Sequence, residues 1–133
     1  METRISRGVL AELAALAAGS GVEICGLLFG DDVLIDAFAP AANVAPDPRR
    51  HFEIDPATLI AAHRAARSGG PGVAGYYHSH PSGVAEPSAT DIASAVADGA
   101  LWLILAAGGA RLWVAEAGED GGTAFRERAF API

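Results

Sequence analysis

The chain carries a single cysteine, so no disulfide can form within it, which fits a reducing compartment, the cytoplasm. No apolar run reaches the roughly 18 residues that a membrane-spanning helix needs. The longest, residues 100–110, is interrupted by Gly108 and Gly109 and reads as a buried strand followed by a turn. Basic residues are outnumbered nine to sixteen, for a formal charge of −7, and they form no stripe. That argues against a nucleic-acid partner, and Arg49-Arg50 and Arg126/Arg128 read as solvated pairs. Internal repeats, low-complexity tracts and long linkers are also missing. With 133 residues, 51% of them apolar, the sequence reads as one domain, 1–133, whose core needs no covalent staples. Arg4 and Arg7 precede an apolar stretch in the manner of a signal peptide. Glu12 breaks that stretch and its spacing is helical, so a helix of the mature fold is expected.

In that helix Ile5, Val9, Leu10, Leu13, Leu16 and Ala17 share one face, and Gly19-Ser20-Gly21 ends it. An apolar strand over 24–29 turns at Gly30-Asp31-Asp32 into a second strand over 33–38. Residues 40–50, with three prolines, lack periodicity and read as a loop. Asp55-Pro56 supplies an N-cap and a proline at the first helical position for a second helix, closed by Gly69-Gly70-Pro71-Gly72. A strand over 73–80, a loop over 81–87 and a third helix from Ser88 to Asp98-Gly99 follow. Strands are expected over 101–106, 112–115 and, at an edge, 123–130. Helices interspersed with hairpins indicate an α/β sandwich with a mixed sheet.

The informative segment is His78-Ser79-His80-Pro81-Ser82-Gly83-Val84-Ala85-Glu86-Pro87-Ser88-Ala89-Thr90-Asp91. Side chains alternate along a strand, so His78 and His80 point to one face and can converge on one ion. Two strand-end histidines also occur without any metal. Ser88 and Asp91 have the spacing of a capping box, which by itself explains them as a helix cap. The short Pro/Gly loop can equally bring Asp91 round to the histidines. Two imidazoles and one carboxylate make a three-ligand zinc site with an open fourth position.

This segment resembles the JAMM (MPN+) metallopeptidase family, small prokaryotic type, whose pattern is His-(Ser/Thr)-His, seven residues, Ser, two residues, Asp. The match is without departure, and Glu23-Ile24-Cys25-Gly26-Leu27-Leu28-Phe29-Gly30 is similar to the family's upstream glutamate segment. It continues through the Asn43 loop and Phe52-Glu53-Ile54-Asp55-Pro56, and so covers most of the chain. The resemblance implies a three-layer α/β/α sandwich with a mixed, curved β-sheet, cytidine-deaminase-like. It implies one Zn2+ per chain on His78, His80 and Asp91, Glu23 as general base and Ser88 as oxyanion donor. It further implies hydrolysis of a peptide or isopeptide bond at the Gly-Gly tail of a ubiquitin-like or sulfur-carrier protein. No nucleic acid or membrane is expected as partner; a homodimer is compatible.

Other readings stay open at this level. A metal-free scaffold of the same fold would retain the architecture without the chemistry. A zinc hydrolase of a small amide is a third reading, although the Cys-x-x-Cys pattern of zinc deaminases is absent. Glu23 alone reads as a solvated carboxylate and takes its role only from the resemblance. Cys25, two residues on, either reaches the zinc as a thiolate or packs as a small buried hydrophobe. Tyr76 shares the histidine face, but packing suits both tyrosines. His51 and His63 read as structural, and Glu86 as an outward loop carboxylate.

Overall fold

The computed structural model describes residues 2–133. In order along the chain the elements are β1 (Thr3–Ile5), α1 (Arg7–Ala18), β2 (Cys25–Gly30), β3 (Leu34–Ala41), α2 (Pro56–Arg67) and β4 (Val73–Ser79). Then follow α3 (Ala89–Ser94), β5 (Leu101–Ala106), β6 (Gly109–Ala117), β7 (Thr123–Arg128) and β8 (Phe130–Pro132). All eight strands form one sheet, ordered β7-β6-β5-β4-β2-β3-β1-β8. β1 runs parallel to β3 and β8, and β4 runs parallel to β5; every other pairing is antiparallel. β7 and β8 sit at opposite edges, yet only Ala129 separates them in sequence. A flat sheet could not satisfy that, so this one curls until its edges approach.

Alternation sorts the layers. Leu28, Ile35, Tyr77, Leu103, Leu105, Leu112 and Val114 face one side and bury Val9 and Leu13 of α1. Helix α1 touches both β3 and β5, spanning the concave face, whereas α2 packs on β4 and α3 on β7 from the other side. The result is a three-layer α/β/α sandwich with a mixed, curved sheet. Burial of these side chains, each worth about 1.5–3 kcal/mol, is its main stabilising term. Gly26 is required where it stands. A Cβ there would meet the carbonyl of Ala39 and, at 2.5 Å, the ring of Tyr77.

Several boundaries differ from those the sequence suggests. β3 runs on to Ala41, into the expected loop, and β6 spans Gly109–Ala117, longer than the expected 112–115. Three further differences have a clear physical cause. Ile5 belongs to β1, not to the first helix, because the Arg4 and Ser6 amides donate to Val33 and Ile35 carbonyls across the sheet. Tertiary pairing overrides the helical spacing there. Helix α3 stops at Ser94, well short of Asp98; Ala95 is extended, and its carbonyl accepts from the Thr123 hydroxyl at 2.8 Å. The expected edge strand over 123–130 is two strands, broken at Ala129 by the curl. The hairpin turn at Asp31 forms as expected, its Oδ1 accepting from the Val33 and Leu34 amides. Among the described residues no helix is long and apolar enough to cross a membrane.

Candidate metal centre

β4 presents His78 on the sheet face covered by α2, paired opposite Cys25 of β2. His80 lies just past the strand, its amide donating to the Leu105 carbonyl at 2.8 Å. The chain then folds back through Pro81 to Pro87, and the His80 ring is tied to that loop: Nδ1 lies 2.7 Å from the Val84 carbonyl oxygen. A carbonyl can only accept, so Nδ1 carries a proton, and Nε2 of the neutral ring presents a lone pair. Helix α3 opens with a capping box. The Asp91 amide donates to Ser88 Oγ at 3.0 Å, and the Ser88 amide donates to Asp91 Oδ2 at 2.9 Å.

These local rules bring three atoms together. His78 Nε2 and His80 Nε2 are 3.1 Å apart, and Asp91 Oδ2 lies 3.1 Å from the first and 3.2 Å from the second. Four-coordinate zinc, with ligand bonds of about 2.0–2.2 Å, needs donor atoms about this far apart. With Nδ1–H of His80 committed to Val84, its Nε2 lone pair faces a carboxylate oxygen and another imidazole nitrogen. A lone pair facing a carboxylate oxygen is relieved by a proton or a metal ion between them, so the donor set fits a cation. When the imidazoles instead carry a proton at Nε2, burial still raises the Asp91 carboxyl, but the hydrogen bonds they donate to it outweigh burial and hold it well below the usual range. Burial pushes His78 down, whereas the hydrogen bond to Asp91 lifts His80.

Glu23, in the turn before β2, is 4% exposed, and its Oε1 is buried without a partner. One of its carboxylate oxygens and one ring nitrogen of each histidine lie within 4.8 Å of one another. Burial, opposed only in part by His80, raises its pKa to about 7. Glu23 is held by its backbone: its amide donates to the Pro48 carbonyl at 2.7 Å, and its carbonyl accepts from Asn43 Nδ2 at 2.9 Å. A cavity of about 220 Å³ opens here, lined by Glu23, Arg49, Arg50, His80 and Ser88 together with Pro81, Ser82 and Gly83. The arginine pair is exposed, as the sequence suggests, but it forms a wall of this cavity.

All five residues singled out in the sequence therefore meet at one place. Four others went unassigned. Phe52 stacks on the His78 ring at 4.1 Å and 18°, and Trp102 meets that ring edge-on at 5.5 Å. Asn43 and Ser79 fix the backbone around Glu23. Aromatic type and the mid-motif serine were visible, but their contacts depend on loop folding. Cys25 shares the sheet face of His78, but its thiol is directed at the Ala41 and Ala42 carbonyls, 3.7 and 3.8 Å away. Burial, then the nearby Glu23, raises its pKa to about 11, so it is a buried thiol. Glu86 points outward to Arg111 at 2.8 Å, Tyr76 meets His63 Nε2 at 3.2 Å, and Tyr77 packs in the core.

Comparisons with known proteins agree with this architecture. The desampylase of Haloferax volcanii is 40% identical over 84 residues, covering 62% of this chain and 60% of that protein. A probable TtuB-protein conjugate cleaving protease of Thermus thermophilus is 36% identical over 92 residues, covering 68% and 62%. The chain thus spans under two thirds of the length of either relative. A solution structure from Desulfitobacterium hafniense superposes with a TM-score of 0.81 at 26% identity, over 98% of this chain and 92% of that one. Residues 6–116 match the family described as prokaryotic homologs of the JAB domain, and the chain belongs to that family.

Proposed function

We propose that residues 1–133 form a single catalytic domain, a zinc-dependent metallopeptidase or isopeptidase. Its substrate would be an amide bond at the C-terminal Gly-Gly tail of a ubiquitin-like or sulfur-carrier protein, or of its conjugate, in the cytoplasm. One observation carries this reading: His78 Nε2, His80 Nε2 and Asp91 Oδ2 converge within 3.2 Å beside a buried Glu23 whose Oε1 has no partner. The names of the two relatives support the substrate class, since one describes cleavage of a protein conjugate and the other a desampylase.

The three converging atoms would hold one zinc ion per chain. Bound there, zinc supplies Lewis acidity and lowers the pKa of water to about 7. Glu23 takes a proton from the attacking water and passes it to the departing amine. A carboxyl with a pKa of about 7 serves in both directions near neutrality. Ser88 donates its hydroxyl proton to the developing oxyanion while its lone pair keeps accepting from the Asp91 amide, so cap and catalysis share one oxygen. A Gly-Gly tail suits the cavity beside Glu23 because it brings no side chains to the reacting bond.

The test is metal analysis of protein purified without chelator, followed by incubation with a carrier conjugate joined through Gly-Gly and mass measurement of the products. Zinc near one equivalent and cleavage by the parent, lost in Glu23→Gln, are expected. Protein that cannot be loaded with zinc would end this reading, and equal cleavage by Glu23→Gln would remove Glu23 as the base.

A further inference from the structure

The β2–β4 ladder ends in an unusual way. Cys25 pairs with His78, and one step further the Ser79 amide donates to the Ile24 carbonyl at 3.1 Å, as an antiparallel ladder requires. The reciprocal bond does not run to a carbonyl. The Ile24 amide donates instead to the Ser79 hydroxyl, at 2.9 Å. Ser79 is 2% exposed and stands between the two histidines. Its side chain thus replaces a backbone acceptor where β4 leaves β2 and remains registered on β5 at Leu105.

Glu23 immediately precedes Ile24. Its own amide and carbonyl are bound to Pro48 and Asn43, both in the 42–53 loop. The pair of bonds between Ser79 and Ile24 ties the residue next to Glu23 to β4, one step beyond the Cys25–His78 pair of the ladder. Glu23 Oε1 is buried without a partner, so no hydrogen bond of that oxygen fixes the carboxylate. Its placement therefore depends on its backbone.

We propose that the Ser79 hydroxyl is a positioning group, setting the separation between Glu23 and the His78–His80 pair by holding the Ile24 amide. This rests on the reading of Glu23 as the base. Ser79 never touches substrate, and its effect passes entirely through Glu23. A small displacement of a base relative to the bond it serves lowers turnover by roughly ten- to a hundredfold.

An isosteric pair isolates the hydroxyl: Ser79→Thr retains it and Ser79→Val replaces it with a methyl. A cavity of about 390 Å³ bordered by Ala17, Ala18, Ser79 and Leu105 gives the added methyl room. Three quantities are read on the parent and both variants: kcat and KM for a Gly-Gly conjugate, zinc affinity against a competing chelator, and the hydrogen-exchange rate of the Ile24 amide in metal-free protein. In Ser79→Val, kcat is expected to fall at least tenfold with KM and zinc affinity unchanged and the Ile24 amide exchanging faster. Ser79→Thr is expected to match the parent in all three. Unchanged kcat in Ser79→Val overturns the proposal, as does a parallel loss of zinc affinity, which would place the effect on the histidines. Ser79→Ala repeats the measurement with less bulk if Val does not fold. A parent without zinc or activity would sink the enzymatic reading alone, while the amide exchange still reports whether Ser79 holds Ile24.

Discussion

Asp91 Oδ2 accepts from the Ser88 amide at 2.9 Å and stands 3.1 Å from His78 Nε2, so one oxygen both completes a capping box and faces the histidines of the candidate metal centre. The two roles separate by substitution. Asp91→Asn keeps an oxygen for the cap but loses the charge, and zinc affinity is expected to fall by at least tenfold with little change in the melting temperature of metal-free protein. Asp91→Ala also loses the bond from the Ser88 amide, half of the capping box, while Ser88 Oγ still caps the helix, so the further loss of stability is expected to be about 0.5–1 kcal/mol. Chelator competition and thermal melts of both variants check this.

Glu23 gives a pH dependence of definite sign. Its pKa rises from 4.5 to about 7 on folding, so between those values the native state binds more protons than the unfolded one. Stability contributed at this site is full below pH 4.5 and declines as pH rises towards 7, by at most about 3 kcal/mol. Metal-free Glu23→Gln is expected to be more stable than the parent at pH 8 and similar to it at pH 4. Denaturant titrations at the two pH values decide, and a parent as stable as Glu23→Gln at pH 8 would contradict the assignment.

The His78 ring is oriented without a hydrogen bond at Nδ1, which is buried and partnerless. Phe52 and Trp102 orient it by packing. Phe52→Ala is expected to weaken zinc binding about tenfold, in the range found when groups behind a ligand are lost. Phe52→Leu should fall between the two. Equal zinc affinity in all three proteins would show that β4 alone fixes the ring.

Cys25→Ser is expected to retain full activity under oxidising and reducing conditions alike, because the thiol faces carbonyls of residues 41 and 42 and stays protonated. Oxidation that inactivates the parent and spares Cys25→Ser would reveal a thiolate reaching the centre.

What the sequence made legible was local. Strand alternation aligned His78 and His80, and the Ser88–Asp91 spacing announced a capping box; both rules span only a few residues. Glu23 lies 55 positions before His78, beyond any periodicity, and only a family resemblance linked it to the site. Phe52, Asn43 and Ser79 act through contacts between elements distant in sequence, which residue type does not encode. The same limit explains β1, where a helical spacing of apolar residues was overridden by pairing to two other strands, and the strand broken at Ala129.

The pairing of β1 with β8 joins residues 3–5 to residues 130–132, with the Thr3 amide donating to Ala129 and the Ile133 amide to Ile5. One edge of β1 has no neighbour until residues 130–132, far along the sequence, join it. Closing so long a loop is slow, and the open edge is exposed meanwhile. In pulse-labelled refolding the Thr3 and Ile133 amides should gain protection last, after those of β4 and β5. On that order the strand carrying His78 is in place before the sheet finishes curling, and the seam at Ala129 closes last.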